Sequence, residues 1–123
     1  MIKLLLVDDQ QVVRRGLRMR LVLEHDITVV GEASTGEQAL ALVQSLAPDI
    51  VLMDVEMPAM DGITATAALQ KARVQSVVVM LSIHDDDLTR ARAQAAGAAA
   101  FAEKHGRIEA LIATIRQAVK TAR

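Results

Sequence analysis

The sequence predicts an α/β fold, a parallel sheet covered by helices on both faces, and three observations carry that reading. Five short apolar runs alternate with five stretches of helical character along 123 residues, the length of one ordinary domain. The runs Ile50–Met53 and Val77–Leu81 contain no polar residue, as in strands buried on both faces. Pro, Gly and Asp punctuate several of the joins, for example Pro48-Asp49 and Asp61-Gly62. Right-handed crossovers then restrict the topology.

The elements follow in order. Ile2–Val7 is a strand stopped by Asp8-Asp9. From Gln10 to about Leu23, Val13, Leu17 and Leu21 recur at i, i+4, i+8 with arginines between them, one apolar stripe of an amphipathic helix. Ile27–Val30 is the second strand. Ser34–Leu46 is the second helix, with Ala39, Leu42, Val43 and Leu46 on one face and Ser34 with Glu37 as a capping box. Ile50–Asp54 is the third strand, closed by a carboxylate. Met57-Pro58-Ala59-Met60-Asp61-Gly62 is a loop, and a weakly amphipathic helix follows over Ile63–Lys71. Ser76–Ser82 is the fourth strand. Asp85-Asp86-Asp87 opens the fourth helix, where the macrodipole favours acids, and Gly97 closes it as C′ residue. Ala99–Ala102 is a short fifth strand. Arg107 to about Thr121 is the last helix, with Ile108, Leu111, Ile112, Ile115 and Val119 on one face.

Composition removes several function classes. A net charge of −1 gives this segment no electrostatic case for nucleic-acid binding. There are no cysteines, so a disulfide framework and thiolate metal sites are excluded. His25, His84 and His105 show no zinc spacing. The apolar run after Met1 is too short for a signal peptide or membrane span, and a cytoplasmic location without membrane contact is expected. Apolar residues make up 52% but Phe101 is the sole aromatic, so the core must be aliphatic.

The polar residues fall at strand ends. Asp8 and Asp9 follow the first strand, Asp54 ends the third, Ser82 ends the fourth, and Lys104 lies just past the fifth. Open α/β sheets bind ligands at the carboxyl ends of their strands. Clustered carboxylates repel one another by about 4 kcal/mol per pair at 4 Å and an effective dielectric of 20. A hard cation relieves this, and carboxylate and carbonyl oxygens suit Mg²⁺. A lysine supplies a point charge for a phosphoryl group, a serine hydroxyl donates to its oxygens, and a carboxylate can be the nucleophile. Together these describe a Mg²⁺-dependent phosphoryl acceptor.

Taken as an ordered set, Leu6-Val7-Asp8-Asp9, Pro48-Asp49-Ile50-Val51-Leu52-Met53-Asp54, Met57-Pro58 with Asp61-Gly62, Ser82, and Phe101 three residues before Lys104 make the chain resemble a response regulator receiver domain of a two-component system. Val30-Gly31-Glu32-Ala33-Ser34 and Leu81-Ser82-Ile83-His84-Asp85 are similar to the NarL/FixJ (LuxR-type) subfamily, whose members usually add a C-terminal helix-turn-helix. The resemblance implies a doubly wound (βα)5 sheet of order 2-1-3-4-5, which brings the ends of strands one, three, four and five side by side. It implies that Asp54 accepts a phosphoryl group from a sensor histidine kinase. It implies Mg²⁺ on Asp9, Asp54 and the backbone carbonyl of Glu56, with Asp8 reached through water. Lys104 would pair with Asp54 and then with its phosphate. Ser82 and Phe101 would be the switch residues. Residues 1–123 are expected to form one receiver domain, with homodimerisation on phosphorylation and DNA contact only through a further domain.

One departure and three competing classes bear on this. His105 follows Lys104 where many receivers have proline, so a trans bond is expected, because a non-proline cis bond costs about 2.5–4 kcal/mol. Glu56 and His84, each two residues past a site residue, are expected to border the path of hydrolytic water. An aspartyl-nucleophile phosphatase would carry its nucleophile near the first strand, whereas Asp54 lies mid-chain. A flavin carrier would have a Ser/Thr/Gly-rich loop after strand one, not Asp8-Asp9-Gln10-Gln11. A degenerate docking module would have lost the acids or the lysine.

Overall fold

The computed structural model describes residues 1–83 and 86–122. Strands β1 (Ile2–Val7), β2 (Ile27–Ala33), β3 (Ile50–Asp54), β4 (Val77–Ser82) and β5 (Ala100–Glu103) alternate with helices α1 (Gln11–Leu21), α2 (Gly36–Leu46), α3 (Gly62–Lys71), α4 (Asp87–Ala96) and α5 (Ile108–Ala122). The sheet is parallel in the order β2-β1-β3-β4-β5, as the resemblance implied.

The period of two along the strands divides the core into two layers. Leu5, Val7, Val51, Met53, Val78 and Met80 pack towards Ala39 and Val43 of α2, Ala65 and Leu69 of α3 and Ala93 of α4. Their neighbours Leu4, Leu6, Ile50, Leu52, Val79 and Leu81 pack towards Leu21 of α1 and Leu111, Ile112 and Ile115 of α5. Residues of β3 are buried on both faces, which is why its sequence shows no alternation. With one aromatic available, small alanines at the helix contacts let the helices approach the sheet closely.

Several boundaries differ from the sequence reading. β2 runs three residues further, through Gly31-Glu32-Ala33, after a register irregularity in its pairing with β1 between Leu4 and Leu5. The α2 cap is Thr35, whose hydroxyl accepts the Gln38 N–H at 3.1 Å, not Ser34 with Glu37; Gln38 Oε1 reaches back to the Ser34 N–H at 2.8 Å. Thr35 and Gln38 thus form a variant of the capping box in which the return bond goes to the residue before the cap. α1 ends at Leu21 rather than Leu23, and β5 sits one residue later. Asp86 caps α4 by accepting the Thr89 N–H at 2.7 Å, while Asp85, the first acid of the expected helix start, lies outside the described residues. Gly97 closes α4 at φ 112°, the left-handed conformation expected of a C′ glycine.

Gly16 has no such reason to be glycine. It lies inside α1, and a Cβ built there meets nothing within 4 Å. Glycine in a helix interior costs roughly 0.5–1 kcal/mol against alanine. Gly16→Ala is therefore expected to stabilise the protein by about that amount, read as a raised urea midpoint at unchanged slope.

Candidate functional site

The site begins with topology. The ends of β1, β3, β4 and β5 are neighbours in the sheet, so residues from opposite ends of the chain meet at one rim. Asp54 closes β3 and is 2% exposed; Asp8, just past β1, is also 2% exposed. The Lys104 side chain, 8% exposed, sets Nζ 3.0 Å from Asp8 Oδ2 and 3.0 Å from Asp54 Oδ2. Lys104 is held there by its own backbone, whose N–H donates to the Ser82 carbonyl at 2.9 Å. No described peptide bond is cis, so the Lys104–His105 bond has the trans form expected without proline. Asp9 is exposed beside them, and Asp8, Asp9 and Asp54 each offer one oxygen within 4.8 Å of the others.

Local hydrogen bonds aim these carboxylates. Asp54 Oδ1 accepts the Glu56 N–H at 3.4 Å, and Asp8 Oδ1 accepts the Gln10 N–H at 2.8 Å. Behind Asp54 the loop folds back on the sheet. Val55 donates to the Leu81 carbonyl and accepts from Gly62 N–H, at 2.9 and 2.8 Å. Gly62 must be glycine, because a Cβ there would overlap the Asp54 carbonyl oxygen and come within 2.9 Å of its carbon and of Met53 Cγ. Asp61 then caps α3 through the Thr64 N–H at 2.7 Å.

The electrostatics are uneven. Burial pushes the Asp54 carboxyl up to about 6, with the Asp8 charge adding to the rise and the Lys104 hydrogen bond only partly opposing it. Burial alone would pull the Lys104 ammonium down, but Asp54 and Asp8 outweigh it and raise it. Asp8 Oδ2 is buried and has the Lys104 ammonium, 3.0 Å away and shared with Asp54, as its one partner among the described residues. Three carboxylates with oxygens within 4.8 Å of one another and a single ammonium to offset them leave excess negative charge, the chemistry of a hard-cation ligand set. The donor set therefore fits Mg²⁺.

The remaining candidates lie around this centre. Ser82 is 1% exposed at the end of β4. Glu56 is exposed and borders a cleft of about 520 Å³ that is also lined by Met57, Pro58, Ser82, Thr89 and Arg92. Phe101 is half-buried on β5, with the Arg90 guanidinium 4.6 Å from its ring centroid, a contact between elements that no sequence pattern announces. His84, paired with Glu56 in the sequence reading, lies outside the described residues.

Comparisons with known proteins bear on the family and the fold. A family model described as the response regulator receiver domain matches residues 4–116. The response regulator GacA of Pseudomonas aeruginosa is 39% identical over 117 residues, covering 95% of this chain and 55% of that protein. The nitrate/nitrite response regulator protein NarL of Escherichia coli is 36% identical over 117 residues, covering 94% and 53%. The chain thus spans about half the length of these curated relatives. A two-component response regulator of the LuxR family from Aurantimonas superposes with a TM-score of 0.91 at 28% identity, covering all of this chain and 88% of that one.

Proposed function

Because the chain belongs to the response regulator receiver domain family, in its NarL/FixJ (LuxR-type) branch, we propose that Asp54 is a phosphoryl acceptor served by a sensor histidine kinase. The observation that supports this most is the Lys104 ammonium 3.0 Å from both buried carboxylates, with Asp9 beside them.

In this reading a carboxylate oxygen of Asp54 forms the new O–P bond as the donor's N–P bond breaks. The departing imidazole nitrogen keeps the electron pair and takes a proton from solvent. Mg²⁺ held by Asp9, Asp54 and the Glu56 carbonyl, with Asp8 through water, would neutralise charge on the transferring oxygens when bound. Lys104 transfers its contact from the Asp54 carboxylate to the acyl phosphate. Ser82 donates its hydroxyl to a phosphate oxygen, and Phe101 moves behind it. Moving a 1:99 balance to 99:1 needs about 5.5 kcal/mol of preference between two states, and these new contacts are its source.

The output is proposed to be transcription through a DNA-binding domain of a longer protein, with dimerisation on phosphorylation. Residues 1–123 are the receiver unit of that scheme, and its setting is cytoplasmic. No helix among the described residues is long and apolar enough to cross a membrane.

Incubation with a small acyl phosphate and Mg²⁺ should add one phosphoryl group, read by intact mass and removed by mild alkali. Chelation should stop the reaction, and Asp54→Asn should abolish it. Stoichiometric labelling of Asp54→Asn would show that another residue is the acceptor.

A further inference from the structure

The Asp8-Asp9 segment is held by a contact that the phosphoryl-transfer scheme does not use. Arg14, on the first turn of α1, donates through Nη1 to the backbone carbonyl oxygen of Asp8. The same guanidinium donates through Nε to Glu32 Oε1 at 3.0 Å, and its side chain is only 15% exposed. Arg18, one turn later, binds the other oxygen of Glu32 at 2.7 Å and, among the described residues, makes no hydrogen bond or ion pair with Asp8. Burial pushes the Glu32 carboxyl up, but the Arg18 and Arg14 guanidiniums outweigh it and hold it below its ordinary value. Glu32 is therefore a charged anchor, supplied by the part of β2 that extends past Val30.

We propose that Arg14 is a positioning residue for the metal site, a clamp that fixes the Asp8–Asp9 peptide from Glu32 and so sets where both acids stand. The proposal rests on the reading of Asp8, Asp9 and Asp54 as the Mg²⁺ site.

Three physical points carry it. First, the peptide unit is planar, so the oxygen of Asp8 and the N–H and Cα of Asp9 move together. Pinning that oxygen fixes the origin of the Asp9 side chain. Second, Asp9 is exposed, and among the described residues its carboxylate has no hydrogen bond or ion pair of its own, so its placement depends on the backbone alone. Asp8 by contrast is held further by its N–H on the Ala33 carbonyl at 3.1 Å and by the Gln10 N–H on Oδ1. Third, a bare guanidinium behind a dication site would repel the dication. Sharing Arg14 with Glu32 lets it grip the backbone with much of its charge neutralised. Groups that orient metal ligands in this way typically alter affinity by 10- to 100-fold when removed.

The test is Mg²⁺ binding by calorimetry, with the Asp9 amide followed by ¹⁵N relaxation in metal-free protein. Arg14→Gln should weaken Mg²⁺ binding about tenfold or more and lower the Asp9 order parameter. Arg14→Lys, which keeps the charge but lacks the planar fork that spans the carbonyl and Glu32, should fall between. Arg18→Gln is the control: it loosens the same anchor without touching Asp8, and should change affinity less than about threefold, well short of the clamp effect. Unchanged affinity in Arg14→Gln would overturn the proposal, as would an equal loss in Arg18→Gln, which would mean general loosening of α1. If the wild type binds no Mg²⁺ at all, the metal reading itself fails. The Asp9 relaxation comparison then still decides the clamp, and an unchanged order parameter in Arg14→Gln rejects it.

Discussion

Asp54→Asn should be more stable than the wild type when divalent cations are absent, although it removes the group around which the site is built. Asp54 is 2% exposed and its carboxyl is pushed from 3.8 up to about 6 by burial and by Asp8. An acid whose value is higher in the folded state weakens the fold by ionising. At about 1.4 kcal/mol per unit the cost is on the order of 3 kcal/mol when Asp54 is charged. The value of about 6 already includes the Lys104 contact; what reduces the gain is solvent screening of a carboxylate that stands at the rim of the sheet. A net gain of about 1–2 kcal/mol at pH 7 is expected, several degrees in Tm. The sign of the pH dependence follows. The cost is complete above pH 6, shrinks as pH falls through 6, and is gone below 3.8, where Asp54 is protonated in both states. Chelated samples of the two proteins should therefore differ at pH 7 and converge near pH 4. Added Mg²⁺ should raise the wild type more than the variant, by mass action on the folded state. A variant less stable than wild type at pH 7 would mean that the Lys104 contact outweighs burial.

The second large effect is expected at Gly62. The overlap of any Cβ with the Asp54 carbonyl is a backbone clash, which rotamer adjustment cannot relieve. Gly62→Ala must displace either the end of β3, which carries Asp54, or the start of α3, which the Gly62 N–H ties to the Val55 carbonyl. The expected loss is about 3 kcal/mol or more, in the range of severe overpacking. Mg²⁺ affinity should fall with it, because the Asp54 carbonyl and the Val55–Gly62 hydrogen bond move together. The contrast with Gly16→Ala is a matched pair: the same added methyl stabilises where nothing lies within reach and destabilises where a carbonyl already stands.

Legibility from the sequence varied for physical reasons. β1, β3 and β4 were readable because unbroken aliphatic runs have few alternatives. Asp54, Asp8 and Asp9 are readable as candidates because they stand at the carboxyl ends of strands, where open α/β sheets bind ligands. The apolar run of β2 stops at Val30; the pairing of Gly31, Glu32 and Ala33 with β1 is what carries the strand on. The shift of the α2 cap from Ser34 to Thr35 is a choice between adjacent hydroxyls that spacing cannot resolve. No spacing announces the Arg14 and Arg90 contacts, because each arginine has others on the same helix and only three-dimensional proximity distinguishes it. Where Lys104 points was likewise open until β5 took its place in the sheet order.

β5 is only four residues long and has a strand on one side alone. A short outermost strand frays at a lower free energy than the centre of a sheet opens. Whenever it peels away, it carries the ammonium out with it, while the acids on β1 and β3 stay in a folded core. A domain in that half-open form keeps nearly all its secondary structure and yet, under the role proposed for Lys104, would be deaf, its acids left uncompensated. Competence to receive a signal is thus only as durable as the thinnest hem of the fold.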